Sequence, residues 1–234
     1  MDGMTSESSL SYKCRYCEKE FRKESTLSAH LCEQKRRWQQ ETETGVQFGL
    51  RAYLQFYETT QGSARLKSYE DFVNSPYYNA FVRYGRHLVT IRAINSNSFT
   101  AWLLNNNKKI DFWCKDSSYE EWLLEYLKKE SPQDALERAL REMEDYAGNS
   151  DIADFSHYFM YGNTNRICHH ITTGRVSPWI LYNCDTGIDF LNNLGEEHLA
   201  MVLAWIDPDY WGRKFKDYVA DVEWCKHVLK AAGL

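Results

Sequence analysis

The chain has 234 residues, 43% apolar and 15% aromatic, which suffices for one small module and one larger packed domain. No apolar run approaches the length of a bilayer span, so a membrane is not among the expected partners. The net charge of −5 hides an asymmetry: residues 11–38 carry eight Lys/Arg against four Glu, a net of +4, which leaves −9 on the remainder. A basic end on an acidic body predicts contact with a polyanion at that end. Seven cysteines behind an N-terminus that does not read as a signal peptide predict a reducing, cytoplasmic setting.

Residues 1–10 are polar and Ser-rich and are expected to form a disordered tail. The next segment carries the most specific chemistry in the chain. It reads Tyr12-x-Cys14-x2-Cys17-x3-Phe21-x5-Leu27-x2-His30. Two cysteines two residues apart on a tight hairpin turn offer two thiolates to one face of a metal ion. A following helix supplies His30, and Phe21 and Leu27 supply a small core. About thirty residues cannot bury enough apolar surface to fold alone, so the metal must add the missing free energy.

This pattern resembles the C2H2 zinc-finger family over residues 11–33. The resemblance implies a ββα module holding Zn2+. It departs from the family at the fourth ligand, where a His or Cys is expected three to five residues after the first His. Here Cys32 follows His30 by only two residues. Residues i and i+2 do not share a helix face. Cys32 therefore reaches the ion only if the helix ends or unwinds just after His30. The expected ligands are Cys14, Cys17, His30 and Cys32. Water, a residue from the body or a partner's cysteine are the alternatives for the fourth place.

Residues 34–44 read as a basic helical connector opening on Lys35-Arg36-Arg37-Trp38. These cations are phosphate contacts in one reading and a solvated helix start in the other. Beyond them, residues 45–234 read as a single all-α domain. Apolar residues recur at three- and four-residue steps over 34–61, 77–93 and 98–106. Gly45 and Gly49 weaken the first stretch, which predicts two helices there, and Gly62 stops it. Ser68 with Asp71 reads as a capping box, as does Ser117 with Glu120. Ser131-Pro132, Ser177-Pro178 and Asp207-Pro208 each place a cap before a first-turn proline. Gly148 is expected to end the helix begun at Pro132, and residues 208–231 to form one long amphipathic helix. The overall expectation is a mainly α protein with a small N-terminal finger.

Asn163, Asn165, Arg166, His169, His170 and Arg175 crowd one short segment and read as a second polar surface for phosphate or nucleic acid. The plainer reading is a turn between helices with a core His. A second metal site from His157, Cys168, His169, His170 and Cys184 matches no known spacing, and a Cys/His nucleophile pair there is equally weak. Cys114 and the remaining cysteines read as ordinary buried thiols. Phosphate loops and hydrolase motifs are absent from the sequence, so an enzyme is the third reading.

From Glu24-Ser25-Thr26-Leu27 through Cys32–Trp38 to Gly45-Val46-Gln47, the chain looks like a group of uncharacterised proteins of tailed bacteriophages. That likeness implies work in a bacterial host cytoplasm and brings no activity with it. The zinc-finger resemblance places the base-reading positions at Lys23, Ser25, Thr26 and Ala29, a poor set for reading sequence. Lys19, Arg22, Lys23, Lys35, Arg36 and Arg37 still predict salt-sensitive phosphate binding to DNA or RNA. A protein-interaction adaptor that docks on replication or transcription machinery is the competing expectation.

Overall fold

A computed structural model of the chain describes residues 11–62 and 67–234. The expected N-terminal tail lies outside the described residues. The chain divides into two compact units, Met1–Cys114 and Lys115–Leu234. Residues 45–234 are therefore shared between two units instead of forming the expected single domain. Helical periodicity reports which side chains are buried, not which of two cores receives them.

The first unit opens with β1 (Tyr12–Lys13) and β2 (Glu20–Phe21), paired antiparallel with Tyr12 opposite Phe21. Then come α1 (Glu24–Ala29), α2 (Glu33–Gln39), α3 (Thr44–Gln61), α4 (Tyr69–Val73), α5 (Tyr78–Thr90), α6 (Ser96–Asn105) and a 3-10 turn at Ile110–Phe112. The connector and the stretch after it are two helices as expected, but the break falls at residues 40–43, and Gly45 and Gly49 lie inside α3. Gly62, at φ 69°, ends α3. Ser68 and Asp71 form the reciprocal capping box at the start of α4.

Gly45 and Gly49 do more than weaken a helix. A Cβ on Gly85 of α5 would lie 2.0 Å from the Gly45 carbonyl oxygen and 2.4 Å from the Gly49 nitrogen. The two backbones meet where no side chain fits, which is the steric use of glycine. Around this contact Tyr53, Phe72, Phe81, Tyr84 and Trp113 are buried and in ring contact.

The second unit contains α7 (Asp116–Lys129), α8 (Pro132–Gly148), a 3-10 turn at Phe155–His157, α9 (Tyr158–Tyr161), α10 (Thr164–Thr172) and α11 (Pro178–Leu181). It continues with α12 (Asp185–Asn192), α13 (Glu196–Ile206), α14 (Pro208–Asp217) and α15 (Val219–Ala231). Ser131, Ser177 and Asp207 all cap their helices ahead of a first-turn proline. Leu136, Met143, Ile171, Trp179, Ile180 and Trp211 sit in its buried core.

Two expectations fail here. Ser117 does not cap α7, because the helix already begins at Asp116 with Lys115 as N-cap. The earlier start places an acid at the positive helix end and carries Tyr119, Trp122 and Leu123 onto one buried face. The long helix expected over 208–231 is broken at Tyr218, whose φ of −115° and ψ of 48° are not helical. The Tyr218 N–H closes α14 on Lys214, and its carbonyl accepts from Val222 to start α15. The apolar steps run unbroken through the joint, so the pattern concealed it.

Glu130, at the C-terminal end of α7, is buried against Arg138, with Oε2 2.6 Å from Nη1, and accepts from the Ser177 hydroxyl at 2.8 Å. Burial pushes its carboxyl up, against the pull of Arg138 and Ser177. Arg138 also donates to the Gly174 carbonyl at 2.8 Å, so one ion pair fixes α8 to the loop before α11.

Gly85→Ala is expected to destabilise the first unit by about 2–3 kcal/mol or more, through overpacking against backbone. Gly212→Ala meets no atom within 4 Å in α14 and should be neutral or stabilising by up to about 1 kcal/mol. Denaturant unfolding of the two variants checks both signs.

Candidate metal centre

The metal-ligating side chains are assembled by three local devices. The first is the turn after β1. The Cys14 N–H donates to the Lys19 carbonyl at 2.9 Å, and the Glu18 N–H donates back to the Cys14 carbonyl at 2.8 Å. Glu18 adopts φ 59°, the left-handed residue that lets the chain reverse between the two short strands. Cys14 is buried at 3% exposure, and Cys17 is half-buried beside it.

The second device is the end of α1. The helix stops at Ala29, and His30 is extended at φ −70°, ψ 121°. Cys32 is also extended, at φ −83°, ψ 166°. In extended backbone, residues i and i+2 point to the same side. His30 and Cys32 therefore face one point while Leu31 between them is 61% exposed. The condition read from the spacing, a helix that ends at His30, is met.

The third device is the start of α2. Cys32 is its N-cap, and its sulfur accepts from the Lys35 N–H at 3.4 Å. The Phe21 ring lies 4.7 Å from the His30 imidazole and holds its orientation.

The result is a cluster of Cys14, Cys17, His30 and Cys32 whose ligand atoms all lie within 4.8 Å of one another, close enough to hold a metal ion. Cys14 Sγ is 4.0 Å from Cys32 Sγ, and Cys17 Sγ is 3.2 Å from His30 Nε2. Tetrahedral zinc with three sulfurs and one nitrogen needs ligand edges of about 3.5–3.8 Å. The set fits zinc. Backbone N–H groups of Cys17 and Tyr16 hold the Cys14 thiol below its ordinary value. At Cys17 the Lys19 N–H pulls the same way, but burial and the neighbouring Cys32 and Cys14 push the thiol up. Three crowded sulfurs resist shared ionisation unless a cation sits among them.

The residues expected to touch nucleic acid divide into two groups. Lys19, Arg22, Lys23, Ser25, Thr26 and Arg36 are exposed. Lys35 is half-buried and donates to the His30 carbonyl at 3.2 Å. Arg37 is not a surface cation. It pairs with Glu33, donates to the Val73 carbonyl at 2.6 Å and lies 4.5 Å over the Tyr78 ring. It fastens α2 to the elements that follow. Trp38 against Tyr69, and the Tyr69 hydroxyl on the Arg37 carbonyl, complete that attachment.

The second polar surface does not form as expected. Asn163, Asn165, Arg166 and His169 are exposed, but His170 and Arg175 are buried. Asn163 caps α10, and Asn165 bonds His198 at 2.8 Å. His170 bonds the Tyr158 hydroxyl through Nδ1 at 2.7 Å, and its Nε2 lies 3.4 Å from Glu142. Arg175 approaches the same carboxylate oxygen at 4.0 Å. Arg166 and His170 share a face of α10, but Arg166, near its start, is in solvent while His170, a turn later, is in the core.

Cys168, Cys184 and Cys225 are buried, and burial raises each thiol, Cys225 to about 12, which makes them poor nucleophiles. The cluster of Cys14, Cys17, His30 and Cys32 is the only metal-ligand group among the described residues. No helix among them is long and apolar enough to cross a membrane. The first unit also holds a hollow of about 740 Å³ that the sequence pattern does not foretell, walled by Phe56, Tyr57, Tyr77, Phe81 and Trp113 with Lys108 and Lys109 beside them. Its walls come from α3, α5 and the segment after α6, far apart in sequence, so only folding brings them together.

Comparison with protein-family models, curated proteins and solved structures finds no match to this chain.

The purified chain should bind one zinc ion, and Cys32→Ser should lose tight binding while still leaving three of the four ligands. Cobalt(II) substitution reads this directly, through tetrahedral absorption bands and thiolate charge-transfer in the parent that weaken in the variant. Affinity should fall as pH falls, because protons compete for the thiolates and the imidazole. Unchanged cobalt spectra in Cys32→Ser would remove that residue from the ligand set.

Proposed function

We propose that the N-terminal module is a zinc finger that binds nucleic acid through phosphate contacts from Lys19, Arg22, Lys23 and Arg36. The observation that carries this reading is a group of four side chains able to hold a metal ion, beside which Lys19, Arg22, Lys23 and Arg36 are exposed. Phosphate contacts position a protein without reading sequence. The helix residues beside them, Ser25 and Thr26, are short hydroxyls with little capacity to distinguish bases. One finger spans only about three base pairs. Binding is therefore salt-dependent and weakly selective. The likeness to tailed-bacteriophage proteins would set this work in a bacterial cytoplasm.

A second reading has its own support. On α13, Leu199 and Leu203 lie four residues apart and are 39% and 47% exposed. Neighbouring apolar side chains left in solvent suit a protein partner, which is the adaptor function.

Zinc-loaded protein should bind labelled DNA or RNA with affinity that falls steeply as salt rises. Replacing Lys19, Lys23 and Arg36 by Ala should reduce the slope of log K against log salt by about 2–3, roughly one for each cation removed. Arg37→Ala should instead lower thermal stability and leave the slope nearly unchanged. Absence of binding at low salt would sink the nucleic-acid reading and make the adaptor reading the leading one.

A further inference from the structure

The hollow in the first unit has a composition that the finger does not explain. Its walls are the rings of Phe56 and Tyr57 from α3, Tyr77 and Phe81 at α5, and Trp113 after the 3-10 turn. Phe81 and Trp113 are almost wholly buried, at 1% and 2%. Tyr77, also a lining residue, is a large aromatic side chain left 52% exposed. Among the described residues, the polar lining consists of Thr60, Gln61, Asn107, Lys108 and Lys109, with no carboxylate. A third cation, Lys67, lies 4.9 Å over the Tyr57 ring.

The segment that brings the lysines is fixed by backbone geometry. Asn107 takes φ 51°, and the Asn107 and Lys108 N–H groups return to the carbonyls of Leu104 and Leu103, closing α6. The Trp113 indole N–H donates to the Lys108 carbonyl at 2.9 Å. One bond thus holds the lysine-bearing loop to the aromatic wall. The volume lies within the range of small-ligand and single-residue pockets.

We propose that this hollow accepts an unpaired base of single-stranded nucleic acid, stacked on Tyr77, with the adjoining phosphate against Lys109, since the Lys108 ammonium lies 5.2 Å over the Trp102 ring. Aromatic faces beside cations are the chemistry of single-strand binding, because every base has a face to stack and every linkage carries a negative charge. A duplex keeps its bases paired and offers none to the hollow. A greasy ligand would need no lysines, and an acidic patch would need no ring faces. The proposal deepens the nucleic-acid reading and rests on it. It adds a preference for single strands that the finger does not supply.

The test uses zinc-loaded full-length protein, fluorescein-labelled oligo(dT) and a duplex of equal length, followed by anisotropy. Tyr77→Ala should weaken oligo(dT) binding about tenfold or more while leaving duplex binding unchanged. Tyr77→Trp should retain it, since the stacking face is kept. Lys109→Ala should weaken oligo(dT) binding and reduce its salt slope by about one. Both positions are exposed or half-exposed, so circular dichroism should show intact folding. A 5-bromouracil oligonucleotide should photo-crosslink to a peptide that contains Tyr77. If oligo(dT) binding survives Tyr77→Ala and Lys109→Ala but falls in the Lys19, Lys23 and Arg36 variant, the hollow is excluded and the finger reading stands. Loss in the hollow variants with no loss in the finger variant supports the hollow and removes the finger as the contact. Absence of binding to either oligonucleotide overturns both, and capture of an aromatic, acidic peptide instead would assign the hollow to a protein partner.

Discussion

Everything at the N-terminal end depends on two residues of extended chain. Were α1 to continue past Ala29, His30 and Cys32 would point to different sides and the fourth ligand would be lost. By stopping there, the chain swaps helical periodicity for the two-residue repeat of a strand, and both ligands face the sulfurs of Cys14 and Cys17. The same Cys32 then opens α2. The ligand cluster is therefore continuous with the connector, and through Arg37, Trp38 and Tyr69 the connector is fastened to α4 and α5. A short spacer after the His, unlike the three to five residues of the resembling family, leaves no slack between the ligand cluster and α2.

That attachment divides the basic segment. A run of Lys35, Arg36 and Arg37 looks uniform in sequence, but the fold gives each a different task. Lys35 reaches back to the His30 carbonyl, Arg36 remains in solvent, and Arg37 is placed between a carboxylate, a carbonyl and a ring. Charge counted along the chain overstates the cation available to a polyanion. The burial of Arg175 and His170 makes the same point in the second unit, where Glu142 and Tyr158 engage them.

What was legible in the sequence was local. Ligand spacing named the four residues of the cluster, and caps at Ser68, Ser131, Ser177 and Asp207 were readable because each cap oxygen and the N–H that donates to it lie within three residues. What was not legible needed a partner distant in sequence. The meeting of Gly85 with Gly45 and Gly49, the division of the helical body at Cys114 and the hollow between α3 and α5 all arise from elements packed across the chain. The break at Tyr218 was hidden for another reason, since the apolar steps of α14 and α15 share one phase. Ser117 failed as a cap because burial of Tyr119, Trp122 and Leu123 decided where α7 begins.

The N-terminal module brings three sulfurs and one nitrogen close enough to hold a metal ion. X-ray absorption at the zinc edge of the purified protein, paired with metal analysis, tests that most directly. The expected result is one zinc per chain with three sulfur neighbours at about 2.3 Å and one nitrogen at about 2.0 Å. A coordination sphere with two sulfurs and added oxygen, or protein that folds without stoichiometric metal, would contradict it.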